Sequence, residues 1–405
     1  MENIAYAIPV LLLSMWLENK YAISKGLKFY EFKDTISNIS IGILDRILGL
    51  LCAGLFYFIY DFLYQHFAFS HIPQNWYTWL IIFFAVDFLY YWYHRASHEV
   101  NLFWAVHVVH HSSNEYNYSV GTRVTILQSI MRMVFFIILP VIGFKANMIV
   151  LMLLIQGVIP FFVHTRFVKK MPAWFEFIFV TPAHHRVHHG RNETYLDKNY
   201  GGVLIIWDRI FNTFTEETED VQFGLTKPME SKSLLWQLFH FILELSISVK
   251  NANGIVNKFK VLFGKPEVIQ ADLRETLEDK FLTPKPIAKS NLTDLFKNYV
   301  VLQLSVSIVA LLFMLYFYDT MNTAIMWFSS VILIITLINC GAILEQKTWV
   351  FYLEYLRFVL SLAFIIYLFP VVITYLFTFL LFVASILFFS KCKISYNNQL
   401  IGNSF

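Results

Sequence analysis

A chain of 405 residues has room for two or three ordinary domains, but 57% apolar, 18% aromatic and only 15% charged residues is not the balance of a water-soluble protein. A formal net charge of +3 is too small for a nucleic-acid surface, so no nucleic-acid partner is expected. The three cysteines, Cys52, Cys340 and Cys392, lie far apart, which excludes a disulfide framework and a thiolate metal site and leaves nitrogen or oxygen to hold any metal.

The opening run from Ile4 to Trp16 has neither a basic leader nor a small-residue cleavage site and reads as a retained helix. Apolar runs predict spans near residues 4–18, 41–64, 77–93, 124–142 and 146–165, since roughly 20 helical residues cross a hydrocarbon layer about 30 Å thick. From Thr181 to Lys297 the charge density rises, with Lys227, Lys232, Lys250, Lys258, Lys260 and Lys265 spread among short helical patterns, as in a water-facing segment. Four more spans are predicted near 299–318, 323–343, 349–368 and 371–390.

The fold class expected is therefore an all-α polytopic membrane protein, a helical transmembrane bundle with a cytoplasmic histidine-rich cap for two metals. Its divisions are N-terminal transmembrane helices over 1–75, a histidine-rich domain over 76–215, a cytoplasmic helical segment over 216–297, a four-helix transmembrane region over 298–390 and a cytoplasmic tail over 391–405. Orientation follows from the bases. The first connection carries Lys20, Lys25, Lys28 and Lys33 while the second carries none, which puts the first in the cytoplasm. Alternation then places His94, Arg95, Arg166, Lys169, Lys170, Lys347, Lys391 and Lys393 on the same side, with Lys145, in a short hairpin, as the one exception.

Ten of the thirteen histidines fall between residues 94 and 189. They read HRASH at 94–98, HVVHH at 107–111, a single His164, and HHRVHH at 184–189. Residues three and four apart share a helix face, so His94 with His98, His107 with His110 and His111, and His185 with His188 and His189 are each expected to form a convergent patch. Eight to ten imidazoles exceed the needs of one ion, which makes two ions the economical reading. His164 ends a predicted span at the cytoplasmic boundary and joins them as a candidate ligand; His184 is a further candidate. His66, His71 and His240 lie outside every group and are read as hydrogen-bonded core residues.

A ligating histidine commonly donates its second ring nitrogen to a carboxylate or carbonyl. Asp87, two turns before His94 on the same face, is the candidate brace, with an ion pair to Arg95 or Arg123 as the plainer alternative. Asp208 and Arg209 are expected either to pair with each other or to brace the last histidine group. The aromatic run FLYYWYH reads as a headgroup anchor.

With those motifs in order, the chain resembles the fatty acid hydroxylase and sterol desaturase superfamily over roughly residues 80–215. The segments HRASHEVNLFWAVHVVHHSSNEYN, TPAHHRVHHGRN and KNYGGVLIIWDRIFNTF are most similar to its alkylglycerol monooxygenase branch. The resemblance implies a non-heme di-iron monooxygenase that uses O2 and a reduced pterin, tetrahydrobiopterin in the animal enzymes, to hydroxylate the ether-linked carbon of an alkylglycerol, giving a fatty aldehyde and a glycerol derivative. It carries over His94, His98, His107, His110, His111, His185, His188 and His189 as ligands and Glu99 as an acidic catalytic neighbour beside Asp87. The alternative within the superfamily is hydroxylation or desaturation of a sterol, carotenoid or fatty acyl chain fed by a ferredoxin or cytochrome as electron-donor partner. A metal transporter and a zinc hydrolase are the remaining readings. Expected partners are the lipid substrate, the bilayer and a second copy of the chain through the C-terminal helices; the expected location is a bacterial inner membrane or the endoplasmic reticulum.

Overall fold

The computed structural model describes residues 2–52, 54–270, 272–282 and 293–400, and their regular structure is helical, with only isolated bridges pairing Phe179 with Leu204 and Gly190 with Phe223. Residues 283–292 of the expected cytoplasmic segment and 401–405 of the expected tail lie outside the described residues. The chain divides into two compact units: Pro9–Glu230 with Leu238–Thr276, and Met1–Ile8, Ser231–Gln237 and Leu277–Phe405.

The histidine-bearing unit takes in most of α1 (Glu2–Ser24), then α2 (Phe32–Leu51), α3 (Leu55–Phe67) and α4 (Trp76–Glu99). α4 is started by a capping box, in which the Asn75 side chain accepts the Thr78 N–H and Thr78 Oγ1 accepts the Asn75 N–H. It runs 24 residues, about 36 Å, and delivers His94 and His98 at its far end. After Val100 the chain turns directly into α5 (Asn101–His111), which packs back against α4. The next apolar stretch is broken into α6 (Ile126–Phe136) and α7 (Ile138–Ile142). Pro140 explains the break, because its ring excludes a helical bond to the Phe136 carbonyl. α8 (Ala146–Val163) follows and packs on α4, so that Ile82 and Val86 meet Phe136, Leu139, Ile149 and Met152 in a shared apolar core. Three shorter helices follow: α9 (Ala173–Ile178), α10 (Pro182–His188) and α11 (Ile206–Ile210). α12 (Leu234–Asn251), α13 (Gly254–Phe263) and α14 (Leu273–Leu282) come after them.

The second unit is built on α15 (Asp294–Tyr316), α16 (Thr323–Leu344), α17 (Val350–Leu368), α18 (Val372–Leu387) and α19 (Phe389–Leu400), the first four packing in sequence. Inside it Arg357 is ion-paired with Glu354 and reaches Gln303 Oε1 at 2.6 Å and Thr336 Oγ1 at 3.3 Å, while Tyr299 donates to Glu354 at 2.7 Å. A charged group among apolar helices needs such partners, and these bind α15, α16 and α17 together.

Nine spans were expected. Among the described residues four helices, α8, α15, α16 and α17, are long and apolar enough to cross a bilayer, or six if the apolar pairs α2 with α3 and α18 with α19 each count as one bent span. The shortfall has physical causes. α1 carries Glu18 and Lys20, α4 carries Asp87 and Arg95, and the run at 124–142 is cut at Ile137.

Candidate metal centre

Nine buried or half-buried histidines converge in two groups: His94, His98, His107, His111 and His188 in the first, and His110, His164, His185 and His189 in the second, the ligand atoms of each lying within 4.8 Å of one another. This corrects the expectation that each motif forms its own patch. In HVVHH the i, i+4 pair His107 and His111 goes to the first group while His110 goes to the second; in HHRVHH the i, i+4 pair His185 and His189 goes to the second while His188 goes to the first. Successive helical residues point about 100° apart, so two adjacent histidines face different ways around a shared axis. The repeated HxxHH is thus a device for bridging two sites.

In the second group His164 Nε2 lies 3.2 Å from His110 Nε2, 3.2 Å from His189 Nε2 and 3.0 Å from His185 Nε2, with His110 and His189 3.1 Å apart. In the first, His107 Nε2 is 3.1 Å from His94 Nε2 and 3.2 Å from His111 Nε2. Nitrogens held about 2.1 Å from one ion stand roughly 3.0–3.4 Å apart, and these separations match. The buried Nε2 atoms of His98 and His188 meet no hydrogen-bond partner among the described residues, which a metal would supply. Burial first, and neighbouring imidazoles second, hold His107, His110, His111, His185 and His189 well below the ordinary histidine range, so they stand neutral at physiological pH, the form that ligates.

Main-chain carbonyls set the other ring nitrogen. Nδ1 of His94 donates to Tyr200 O at 2.8 Å, His110 to Arg123 O at 3.2 Å, His164 to Pro160 O at 2.7 Å and His188 to Lys198 O at 3.0 Å. Each such bond fixes the tautomer with Nε2 free for metal. The Pro160 carbonyl is available because α8 ends at Val163 and the His164 N–H turns to Phe161 O instead.

The loop supplying Lys198 O and Tyr200 O is tightly held. Asn199, in the left-handed region at φ 57°, donates to His184 O and Thr215 O. Asp208 accepts the Tyr200 and Gly201 N–H groups, both at 2.7 Å, and the Thr213 hydroxyl at 2.7 Å. Burial raises its carboxyl to about 6 against those bonds, which leaves it ionised at neutral pH. A Cβ at Gly201 would sit 2.6 Å from Leu204 O, and one at Gly202 2.5 Å from Gln156 Oε1, so the loop needs both glycines. Asp208 therefore supports the first group through Tyr200, and Arg209 pairs not with it but with the Phe177 and Glu176 carbonyls.

Asp87 also differs from expectation. It touches neither a histidine nor an arginine; it accepts from Gln156 Nε2, Val203 N, Leu204 N and Trp207 Nε1 at 2.5–3.1 Å. Its carboxylate ties α4 and α8 to the loop that orients His94. Glu99 is ion-paired with Arg95 at 2.9 Å, part-exposed, and belongs to neither group. His184 is likewise outside both: its Nδ1 accepts the Thr181 N–H at the start of α10 and its ring meets Phe214. His184 shares a helix face with His188 four residues on, but its ring is turned back to cap α10 and so is not offered to the first group. His184→Ala is expected to lose about 1 kcal/mol of helix capping with metal content unchanged; a drop in metal content by elemental analysis would return His184 to the ligand set. His66 and His71 lie exposed against Phe62 and Tyr64 and not in the core, whereas His240 is buried.

Sequence reading missed Arg186 and Glu18. Arg186, between the ligands of HHRVHH, is buried and donates to Glu217 and to the carbonyls of Thr165, Val168 and Lys169, locking the segment after His164 onto α10. Buried Glu18 of α1 accepts from Tyr30, the Tyr118 N–H and the Thr165 hydroxyl. An arginine embedded in a ligand motif was a readable signal; a lone glutamate in an N-terminal helix was not.

A sequence model described as fatty acid hydroxylase matches residues 79–213, which contain every histidine of both groups. The chain is 33% identical over 373 residues to the alkylglycerol monooxygenase of Homo sapiens, covering 88% of this chain and 81% of that protein. It is 37% identical over 241 residues to the alkylglycerol monooxygenase of Danio rerio, covering 58% of this chain and 53% of that one. No solved structure matches. With a motif-bearing domain of that description and a relative matched along most of both lengths, the chain belongs to the alkylglycerol monooxygenase family of fatty acid hydroxylase proteins.

Proposed function

We propose that this chain holds two iron ions, one in each histidine group, and uses O2 and a reduced pterin to hydroxylate the ether-linked carbon of an alkylglycerol lipid. The observation that carries the reading is the parting of nine imidazoles into two converging sets with no carboxylate in either. All-nitrogen sets suit iron, zinc, copper or nickel. The relatives carry the name of a monooxygenase, and zinc has no redox change to offer. When bound, the iron pair supplies the electron-transfer chemistry that side chains lack for activating oxygen against an unactivated carbon–hydrogen bond.

The chain's own residues hold and orient. Carbonyls of Tyr200, Arg123, Pro160 and Lys198 fix the imidazole rings, and burial keeps bulk water from them. The half-buried Trp104 ring, centred 5.1 Å from His98 and 5.7 Å from His111, forms an apolar wall at the first group where an alkyl chain can lie. One oxygen atom enters the carbon–hydrogen bond beside the ether oxygen, the other leaves as water, and the pterin gives two electrons. The hydroxylated ether is a hemiacetal, which falls to a fatty aldehyde and a glycerol derivative. The lysine and arginine distribution supports a cytoplasmic position for the site.

Membranes containing the chain, given an alkylglycerol, are expected to release aldehyde with tetrahydrobiopterin and not with ferredoxin and its reductase. Turnover of a sterol, carotenoid or acyl chain with ferredoxin alone would replace this reading by the other branch of the superfamily. Full activity in anaerobically purified protein containing zinc but no iron would end the oxygenase reading.

A further inference from the structure

α13 is short, and its outer face is apolar. Ile255, Val256, Phe259 and Phe263 are 68%, 64%, 54% and 49% exposed, and at 100° per residue they fall within one stripe about 100° wide. Val256, Phe259 and Phe263 line an open groove of about 530 Å3, with Lys260 and Gly264 completing it. Ten residues reach only about 15 Å, half a hydrocarbon layer, so α13 does not cross the bilayer. The inner face packs on α5.

Its depth is set by α4. Asn101, two residues past the end of α4, donates its backbone N–H to Gly264 O at 2.8 Å and its side-chain amide to Val261 O at 2.7 Å and Lys265 O at 3.1 Å. The C-terminal end of α13 is thereby pinned where α4 carries Arg95 over the Trp92 ring, at 5.6 Å. Tryptophan and arginine at a helix end are residues of the headgroup layer. Lys258, Lys260 and Lys265 surround the apolar stripe, and α13 itself contains no acid.

We propose that α13 lies in the plane of the membrane surface, with Ile255, Val256, Phe259 and Phe263 sunk into the headgroup and acyl boundary and the lysines among lipid phosphates. A short helix with bases around an apolar face suits that position. A second copy of the chain fits less well, because the stripe, about 15 Å by 10 Å, falls far below the roughly 800 Å2 per partner of a stable interface. The consequence is that α5, with three candidate ligating histidines and Trp104, is moored at the depth of a lipid's polar linkage.

The test places a nitroxide at Phe259→Cys, and separately at Asn257→Cys on the opposite face, in the full chain carrying Cys52→Ser, Cys340→Ser and Cys392→Ser. The protein is reconstituted into vesicles of phosphatidylcholine and phosphatidylglycerol. The label at 259 is expected to relax with oxygen and to be shielded several-fold from a water-soluble nickel chelate, and the label at 257 to show the reverse. Equal access of nickel to both positions would overturn the proposal, and so would shielding of 259 from both reagents, the mark of a protein partner. Should the cysteine replacements fail to fold, Phe259→Trp in otherwise native protein gives the same decision: brominated phosphatidylcholine should quench its added fluorescence several-fold more than that of Asn257→Trp, and equal quenching would overturn the proposal.

Discussion

Replacing His110 by alanine is expected to lower aldehyde release by more than about 100-fold, beyond the usual cost of losing a group that merely supports a ligand, with the protein still in the membrane. His110 is one of four imidazoles in its group, so three remain, and the Arg123 carbonyl loses the donor it faced. His188→Ala removes one of five and should also abolish turnover, but with more iron retained, since four imidazoles still converge. Turnover in membranes and iron per chain in purified protein are the paired measurements. Full turnover in either variant would discard that residue as a ligand.

The second large effect is expected at Asp87, where the consequence is structural. Asp87→Ala strands the Val203 and Leu204 N–H groups, the Trp207 indole and the Gln156 amide at once. Each unsatisfied buried donor costs about 1–3 kcal/mol, and partial relaxation leaves a loss on the order of 3–5 kcal/mol, the range for breaking a buried charged contact. Thermal unfolding in detergent should show a transition several degrees lower, together with iron lost first from the group that contains His94. An unchanged transition would mean that Asp87 does not hold the 203–207 segment.

The contrast between these two cases shows what the sequence made legible. Imidazoles at helical spacing declare themselves, because metal binding demands one residue type in number, and both groups are drawn from the motifs and His164. Their division between two sites was not legible: it depends on the angle between neighbouring residues on α5 and α10 and on how those helices face each other. Asp87 was singled out as a buried acid that needs partners, but three of the four donors that satisfy it lie more than a hundred residues along the chain, in the 203–207 segment, whose course no periodicity announces. Fewer described helices reach the length and apolarity of a span than the nine expected, for a related reason. Apolar runs fix where helices begin and end, whereas Pro140 and the charges of α1 and α4 alter what those helices are.

Because His110 with His111 and His188 with His189 are neighbours on single short helices, yet serve opposite groups, neither helix can turn to suit one ion without moving a ligand of the other. With one ion in each group, as proposed, capture of the first would hold in place ligands of the group that receives its companion. On that reading loading would favour empty or doubly filled protein over the singly filled form, in which a lone reactive ion would meet oxygen.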